Sequence, residues 1–224
     1  MFSKATFNFL DELAANNDRN WFAANKPRYE ALVREPALEF IAEMGAVLEQ
    51  FAPHFRAEPR KAGGSLMRVF RDTRFARDKS PYKINIGIQF RHELGKDVHA
   101  PGFYAHIATD ECFFGVGCWH PEADALGRIR DLIAAKPERW FAVRDDRKFA
   151  PLWTLAGDSL ARPPRGYAAN HPAIEDLKRK DFLGLAALSF AEATGPGLVK
   201  LAGARFATAA PFMKFLCEAQ GIQY

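Results

Sequence analysis

The sequence predicts an α+β fold: an antiparallel sheet of about four to five strands, with N- and C-terminal helices packed mainly on one face. Three observations carry that expectation. Apolar residues recur at helical spacing through roughly the first 60 positions and again after position 120, whereas strict two-residue alternation is confined to the middle, about 64–119. Strands and helices show no regular βαβ alternation, which argues against a parallel sheet. No repeat, low-complexity tract or linker interrupts the chain, so residues 1–224 read as one domain with a mixed, mainly helical last part.

Each element has its own local reason. Thr6 is a suitable N-cap for a first helix carrying Phe7, Leu10, Leu13 and Ala14. Asn16, Asn17 and Asp18 break that helix and offer a cap for a second, striped with Trp21, Phe22, Tyr29, Leu32 and Val33 and interrupted near Pro27. Pro36 suits the first turn of a third helix, whose face is Leu38, Ile41, Met44, Val47, Leu48 and Phe51. After Gly63 and Gly64 the pattern changes. Leu66 to Phe70 is short and rich in strand formers, and Ile84, Ile86, Ile88 and Phe90 alternate with Asn85, Gly87, Gln89 and Arg91.

A loop marked by Gly95, Lys96 and Asp97 leads to two further strands, Gly102 to Ala108 and Glu111 to Trp119, turning at Thr109 and Asp110. Helical signals return from Glu122 to Ala135 and from Pro137 into Trp140 and Phe141. A polar stretch with Pro151, Gly157, Pro163, Pro164 and Gly166 follows. Phe182, Leu183, Leu185 and Leu188 crowd too closely for an amphipathic helix and suggest one more strand, before one or two closing helices between Pro196 and Ala219.

Composition excludes several classes of function. No apolar run reaches the roughly 18 residues that a membrane-spanning helix needs, and no charged n-region leads into an apolar stretch at the N-terminus. Cys112, Cys118 and Cys217 are odd in number and lack framework spacing, so free thiols in a reducing cytoplasm are expected. The twenty phenylalanines fall mostly at periodic positions, as core residues do.

The charge is concentrated. Residues 68–83 hold six basic side chains, Arg68, Arg71, Arg74, Arg77, Lys79 and Lys83, against Asp72 and Asp78, an excess of four that equals the net charge of the whole chain. Phe70, Phe75 and Tyr82 interleave them, so the run reads as an ordered loop presenting cations to an anion. Arginine's planar fork suits bidentate capture of phosphate or carboxylate. Asp72 and Asp78 would orient those forks or act as acid, base or metal ligand, and Ser80-Pro81 would fix a turn placing Tyr82 and Lys83. The structural alternative is that the same Arg–Asp pairs staple the loop to the protein and bind nothing.

The strand pair around Thr109 is the second feature. An even-length turn puts Phe103, Ala105, Ile107, Cys112, Phe114 and Val116 on one face, and Tyr104, His106, Phe113, Gly115, Gly117 and Trp119 on the other. Glycines beside aromatic residues leave a shallow trough, which Asn85, Gly87 and Gln89 would extend; alternatively the glycines mark bulges or relieve crowding. Of six histidines, His106 is the best placed for catalysis. His120 and His171 precede prolines and sit at extended or turn positions, and His54, His92 and His99 read as exposed. His106, Cys112, Cys118 and His120 cluster in sequence without any metal-ligand spacing, so neither a metal nor another cofactor is expected.

The run from Arg68 to Lys83 closely resembles the signature of a bacterial family catalogued as a domain of unknown function, DUF2461. Further stretches agree in order: Asn16 to Phe22, Pro101 to Ile107, Gly115 to Pro121, Arg162 to Tyr167 with His171 and Pro172, and Lys178 to Phe182. The resemblance spans nearly the whole chain and implies one compact domain in a soluble bacterial protein, with no activity, substrate or cofactor to carry over. The cysteines are not part of its pattern. Function is therefore argued from the residues themselves. The expected partner is a phosphate-bearing small molecule or a nucleic acid. It would be held by Arg68, Arg71, Arg74, Arg77, Lys79 and Lys83 beside Tyr82, Tyr104 and Trp119. The alternatives are a hydrolase or transferase using Asp72, Asp78 and His106, and an interaction protein docking an acidic partner.

Overall fold

The computed structural model describes residues 1–74, 76–95 and 100–224. Phe75 of the basic run, Lys96 and Asp97 of the expected loop, and His99 lie outside the described residues. The fold is α+β, as the pattern of periodicities predicts. Its antiparallel sheet has six strands: β1 (Phe55–Arg56), β2 (Asn85–His92), β3 (Gly102–Ala108), β4 (Cys112–Cys118), β5 (Thr154–Ala156) and β6 (Phe182–Ala187). They are ordered β1-β2-β3-β4-β6-β5. The two strands absent from the sequence reading, β1 and β5, are two and three residues long, too short to display a period.

The N-terminal helices are α1 (Lys4–Ala15), α2 (Arg19–Tyr29) and α3 (Glu35–Leu48). The expected cap at Thr6 is corrected: Ser3 is the N-cap, and the Thr6 hydroxyl accepts from the Ser3 backbone N–H at 3.1 Å, the reciprocal arrangement of a capping box. Asp18 caps α2 as expected, accepting from the N–H groups of Asn20 and Trp21 at 2.8 and 2.9 Å. Pro27 lies inside α2 without breaking it. The irregularity falls instead at Glu30–Arg34, a π-helical turn between Pro27 and Pro36 in which Glu35 N–H bonds the Glu30 carbonyl. A wider turn of this kind absorbs the hydrogen bonds that prolines remove.

The C-terminal half adds α4 (Ala123–Ala135), α5 (Pro137–Arg144), α6 (Ile174–Leu177), α7 (Phe190–Thr194), α8 (Leu198–Thr208) and α9 (Ala210–Ala219). α8 and α9 are the two closing helices. Their aromatic residues meet the inner face of the sheet. The buried Phe206 ring lies 6.4, 5.0 and 5.2 Å from Phe90, Phe103 and Phe114, one residue on each of the adjacent strands β2, β3 and β4. Rings at these separations combine large apolar burial with favourable edge contacts.

Register fixes the two faces of the sheet. A two-residue turn at Thr109 and Asp110 pairs Ile107 with Cys112, Phe103 with Val116 and Tyr104 with Gly115. Ile88, Ala105, Phe114 and Ala186 then align across β2, β3, β4 and β6 on the helix-covered face. Gly87, His106 and Phe113 align on the opposite face, beside Gln89, Tyr104, Gly115 and Leu185.

The segment 65–71 is the other half of a hairpin with the start of β2. Leu66 bridges Ile88, Phe70 bridges Tyr82, and Lys83 N–H donates to Val69 O at 2.7 Å. The basic run is therefore the tip of a hairpin at the sheet edge. Two expectations about histidines are corrected. His92 is buried at 1% exposure. Its Nε2 donates to the Gln223 carbonyl at 2.7 Å, while its Nδ1 accepts from Leu94 N–H at 3.1 Å. His54 is partly covered and bound to Glu93 at 2.6 Å.

Candidate functional site

Two cavities meet at the junction of the basic hairpin and the open sheet face. The first, about 640 Å³, lies under the hairpin tip and is walled by Asn17, Arg71, Asp72, Asp78, Ser80 and Asn85 among others. The second, about 550 Å³, is the trough over the open face, walled by His106, Phe113, Gly115, Gly117, Trp119 and Leu185 among others. Met67, Lys83 and Tyr104 line both.

The hairpin is anchored from the helical layer. Asn17 Nδ2 donates to Tyr82 O at 2.9 Å, and Tyr82 N–H donates to Asn17 Oδ1 at 3.0 Å. The Tyr82 ring stacks on Phe22 with centroids 4.0 Å apart and is only 5% exposed. Its part in the cavity wall is that of a fixed support rather than of a ring offered to a ligand.

The basic side chains divide into two groups. Arg71 pairs with Asp78, and Arg74 pairs with Asp72, its Nη2 at 2.7 Å and its Nε at 3.0 Å. Lys79 Nζ donates to Thr73 O at 2.8 Å. Two of the four arginine forks thus turn on the loop's own carboxylates, as the stapling alternative expects. Arg68, Arg77 and Lys83 have no ion-pair partner among the described residues.

Lys83 stands apart within the second group. Arg68 and Arg77 are exposed, where water solvates them, but Lys83 is half-buried. Burial, and then the nearby positive charge of Arg68, hold its ammonium below the ordinary lysine range.

The same electrostatics redefine the carboxylates. The Arg74 side chain, through its hydrogen bond, holds Asp72 down to about 2. The Ser80 hydroxyl first, and Arg71 next, hold Asp78 lower still. Both are therefore charged at neutral pH and carry no proton to donate. Nor does the fold bring them to His106. Asp72 and Asp78 wall the hairpin cavity, whereas His106 lies in the trough, and Met67, Lys83 and Tyr104 form the wall between them.

His106 stacks on Phe113 with centroids 4.6 Å apart and planes 5° from parallel. The Tyr104 hydroxyl stands 3.2 Å from its Nδ1, and Asn85 Nδ2 stands 3.5 Å from the same atom. Burial, with Glu111 adding to it, raises the Tyr104 phenol to about 12, so the hydroxyl keeps its proton and donates it to Nδ1. The His106 hydrogen is then on Nε2, and burial holds the ring neutral. Gly87 makes room for this arrangement, because a Cβ there would come within 2.8 Å of the Tyr104 hydroxyl oxygen. The four-residue sequence cluster does not converge: Cys112 and Cys118 point to the helix-covered side of β4 and His106 to the other side of the sheet.

A carboxylate that the sequence reading passed over lies beyond Trp119, behind the residues that wall the trough. Asp181, buried at 1%, accepts from His120 N–H at 2.6 Å and Asp158 N–H at 2.9 Å, with His120 Nδ1 3.0 Å away. These bonds hold His120 in the left-handed region, at φ 44°. Its neighbour Trp119 is half-exposed on the trough wall. Nothing at the level of local sequence pairs positions 120 and 181, which β4 and β6 bring together.

Neither a curated protein nor a solved structure matches the chain. The family model described as "conserved hypothetical protein (DUF2461)" matches residues 5–215, which include the α1–α3 layer, the basic hairpin and all six strands. On that match, covering nearly its whole length, the chain belongs to the DUF2461 family.

Proposed function

We propose that this protein binds a small phosphate-bearing ligand across the junction of the two cavities, its anionic group under the basic hairpin and its uncharged part in the trough. One observation carries the reading: Lys83 is a half-buried cation at the point where both cavities meet, with a like charge nearby and no carboxylate partner among the described residues. An incompletely solvated charge of this kind is costly until an anion joins it. Arg68 and Arg77 add positive potential, and Arg71 becomes available if an anion competes for it with Asp78.

Concave sites of several hundred cubic ångströms with few convergent polar groups suit a compact ligand. A nucleic acid would instead lie along the surface and need rings to stack on, and the Tyr82 ring is already committed to Phe22. A cytoplasmic location belongs to the same proposal, supported by three free cysteines and by the lack of any helix, among the described residues, long and apolar enough to cross a membrane.

Calorimetric titration with inorganic phosphate and with a mononucleotide tests the reading. Binding that is lost in Lys83→Ala and retained in Lys79→Ala is expected. Binding that survives Lys83→Ala overturns it. A steep fall of affinity with salt for an oligonucleotide, together with no mononucleotide binding, reassigns the surface to nucleic acid.

A further inference from the structure

Two other lysines of this chain have ordinary partners. Lys79, four residues away in the same hairpin, is exposed and donates to a backbone carbonyl, and Lys178 pairs with Glu175 at 2.7 Å. Lys83 differs in every respect that bears on nucleophilicity. It is half-buried, both loop carboxylates that could neutralise it are tied to arginines, and Arg68 adds a like charge. Desolvation and a neighbouring cation both make a lysine amine easier to deprotonate. The amine also sits where a ligand spanning both cavities must pass.

We propose that Lys83 is an imine-forming amine, and that its substrates are phosphate-bearing aldehydes or ketones whose carbonyl carbon lies at the junction. Nζ, a cation in the resting protein, first gives its proton to solvent; its lone pair then forms a bond to the carbonyl carbon, and the π pair of the C=O bond moves to oxygen. Both protons of the amine pass to that oxygen, which departs as water and leaves a C=N bond. Nothing is oxidised or reduced, and no co-reactant is needed. The Tyr104 hydroxyl lines both cavities; turning its hydrogen from His106 Nδ1 to the departing oxygen, it takes a proton from nitrogen in exchange. Arginines suit the phosphate end because their charge is permanent, which leaves the lysine to work as an amine.

This inference rests on the anion-binding reading of the same cavity, and one experiment separates the two. The intact protein is incubated at neutral pH with glycolaldehyde phosphate or with uncharged glycolaldehyde, in the presence of cyanoborohydride, which reduces an imine to a stable amine. Labelled positions are read by peptide mass spectrometry. Lys83 should be labelled several-fold faster than Lys79 by both aldehydes, and the label at that position should vanish in Lys83→Arg and slow in Tyr104→Phe. Labelling of Lys83 no faster than Lys79 overturns the amine's role, whatever phosphate does. Where Lys83 is labelled first, suppression by inorganic phosphate supports the phosphate-bearing substrate class. Indifference to phosphate overturns that class and the anion-binding reading together.

Discussion

Asn17 pairs with both backbone polar groups of Tyr82, donating to its carbonyl at 2.9 Å and accepting from its N–H at 3.0 Å, across 65 positions of sequence. A side-chain amide here does the work of a paired strand at the edge of the hairpin. Its removal leaves two partly buried backbone groups without partners, at a cost of about 1–3 kcal/mol each. Asn17→Ala should therefore lower the unfolding free energy by about 2–6 kcal/mol for the two groups together, read from urea titration, and speed hydrogen exchange at the Tyr82 amide. An unchanged Tyr82 exchange rate would show that the hairpin holds itself in place. Asn17→Asp should be as damaging, because a carboxylate keeps the acceptor and sets a negative charge against the Tyr82 carbonyl.

Asp72 and Asp78 make the hairpin tip acid-sensitive in a stated direction. A carboxyl held below its unfolded value stabilises the folded loop above that value, and the contribution is lost as pH falls through the folded pKa. For Asp72 the window runs from about 4, the ordinary aspartate value, down to about 2. The Arg74 Nε–H resonance should titrate over that window in the wild type and stay flat in Asp72→Asn. Asp78→Asn, by freeing Arg71, should strengthen phosphate binding at neutral pH.

Gly87 and Gly117 should respond very differently to alanine. At Gly117, with φ 112°, a Cβ would lie 2.0 Å from the Phe182 carbonyl oxygen, a backbone atom of the paired strand. Gly117→Ala should prevent stable folding. At Gly87 the obstacles are the ends of two side chains, the Tyr104 hydroxyl at 2.8 Å and Met67 Sδ at 3.0 Å. Gly87→Ala should fold with a loss of about 1–3 kcal/mol, typical of overpacking, and should displace the Tyr104 hydroxyl from His106. Nitrogen-15 chemical shifts of the His106 ring provide the readout: a change at Nδ1 confirms the displacement, and an unchanged ring refutes it.

His92 couples the C-terminus to pH. Burial, the largest cause, holds its pKa below the ordinary histidine value. A histidine lowered in this way destabilises the folded state as pH falls below the unfolded value of about 6.5. Protonation also sets a new Nδ1–H against the Leu94 N–H that now donates to it. Exchange at the Leu94 amide, corrected for intrinsic rates, should accelerate on acidification from neutral pH through that value. Its failure to do so would mean that the Gln223 contact does not depend on the neutral ring.

Much of the architecture was legible because it is local. Strict alternation through Ile84–Phe90 gave β2, and the two-residue turn at Thr109 and Asp110 gave both the β3–β4 register and the composition of each face. β1 and β5 were too short to show a pattern, and Pro27 misled because the π-turn three residues beyond it absorbs the disturbance. His92 read as exposed because its cover comes from Gln223, at the other end of the chain.

By itself the sequence determined where the charge excess lies, which residues share a sheet face, and that helices flank an antiparallel centre. Charge and periodicity are properties of neighbouring residues and survive without coordinates. Only the tertiary structure decided which cations are already neutralised and which is left at a cavity junction. Arg71 and Arg74 look no different from Arg68 in the run, yet ion pairing falls off within a few ångströms and so depends on how the hairpin tip folds back. The same proximity singled out Lys83, whose position between two cavities exists only once the hairpin is laid along β2 and pinned by Asn17.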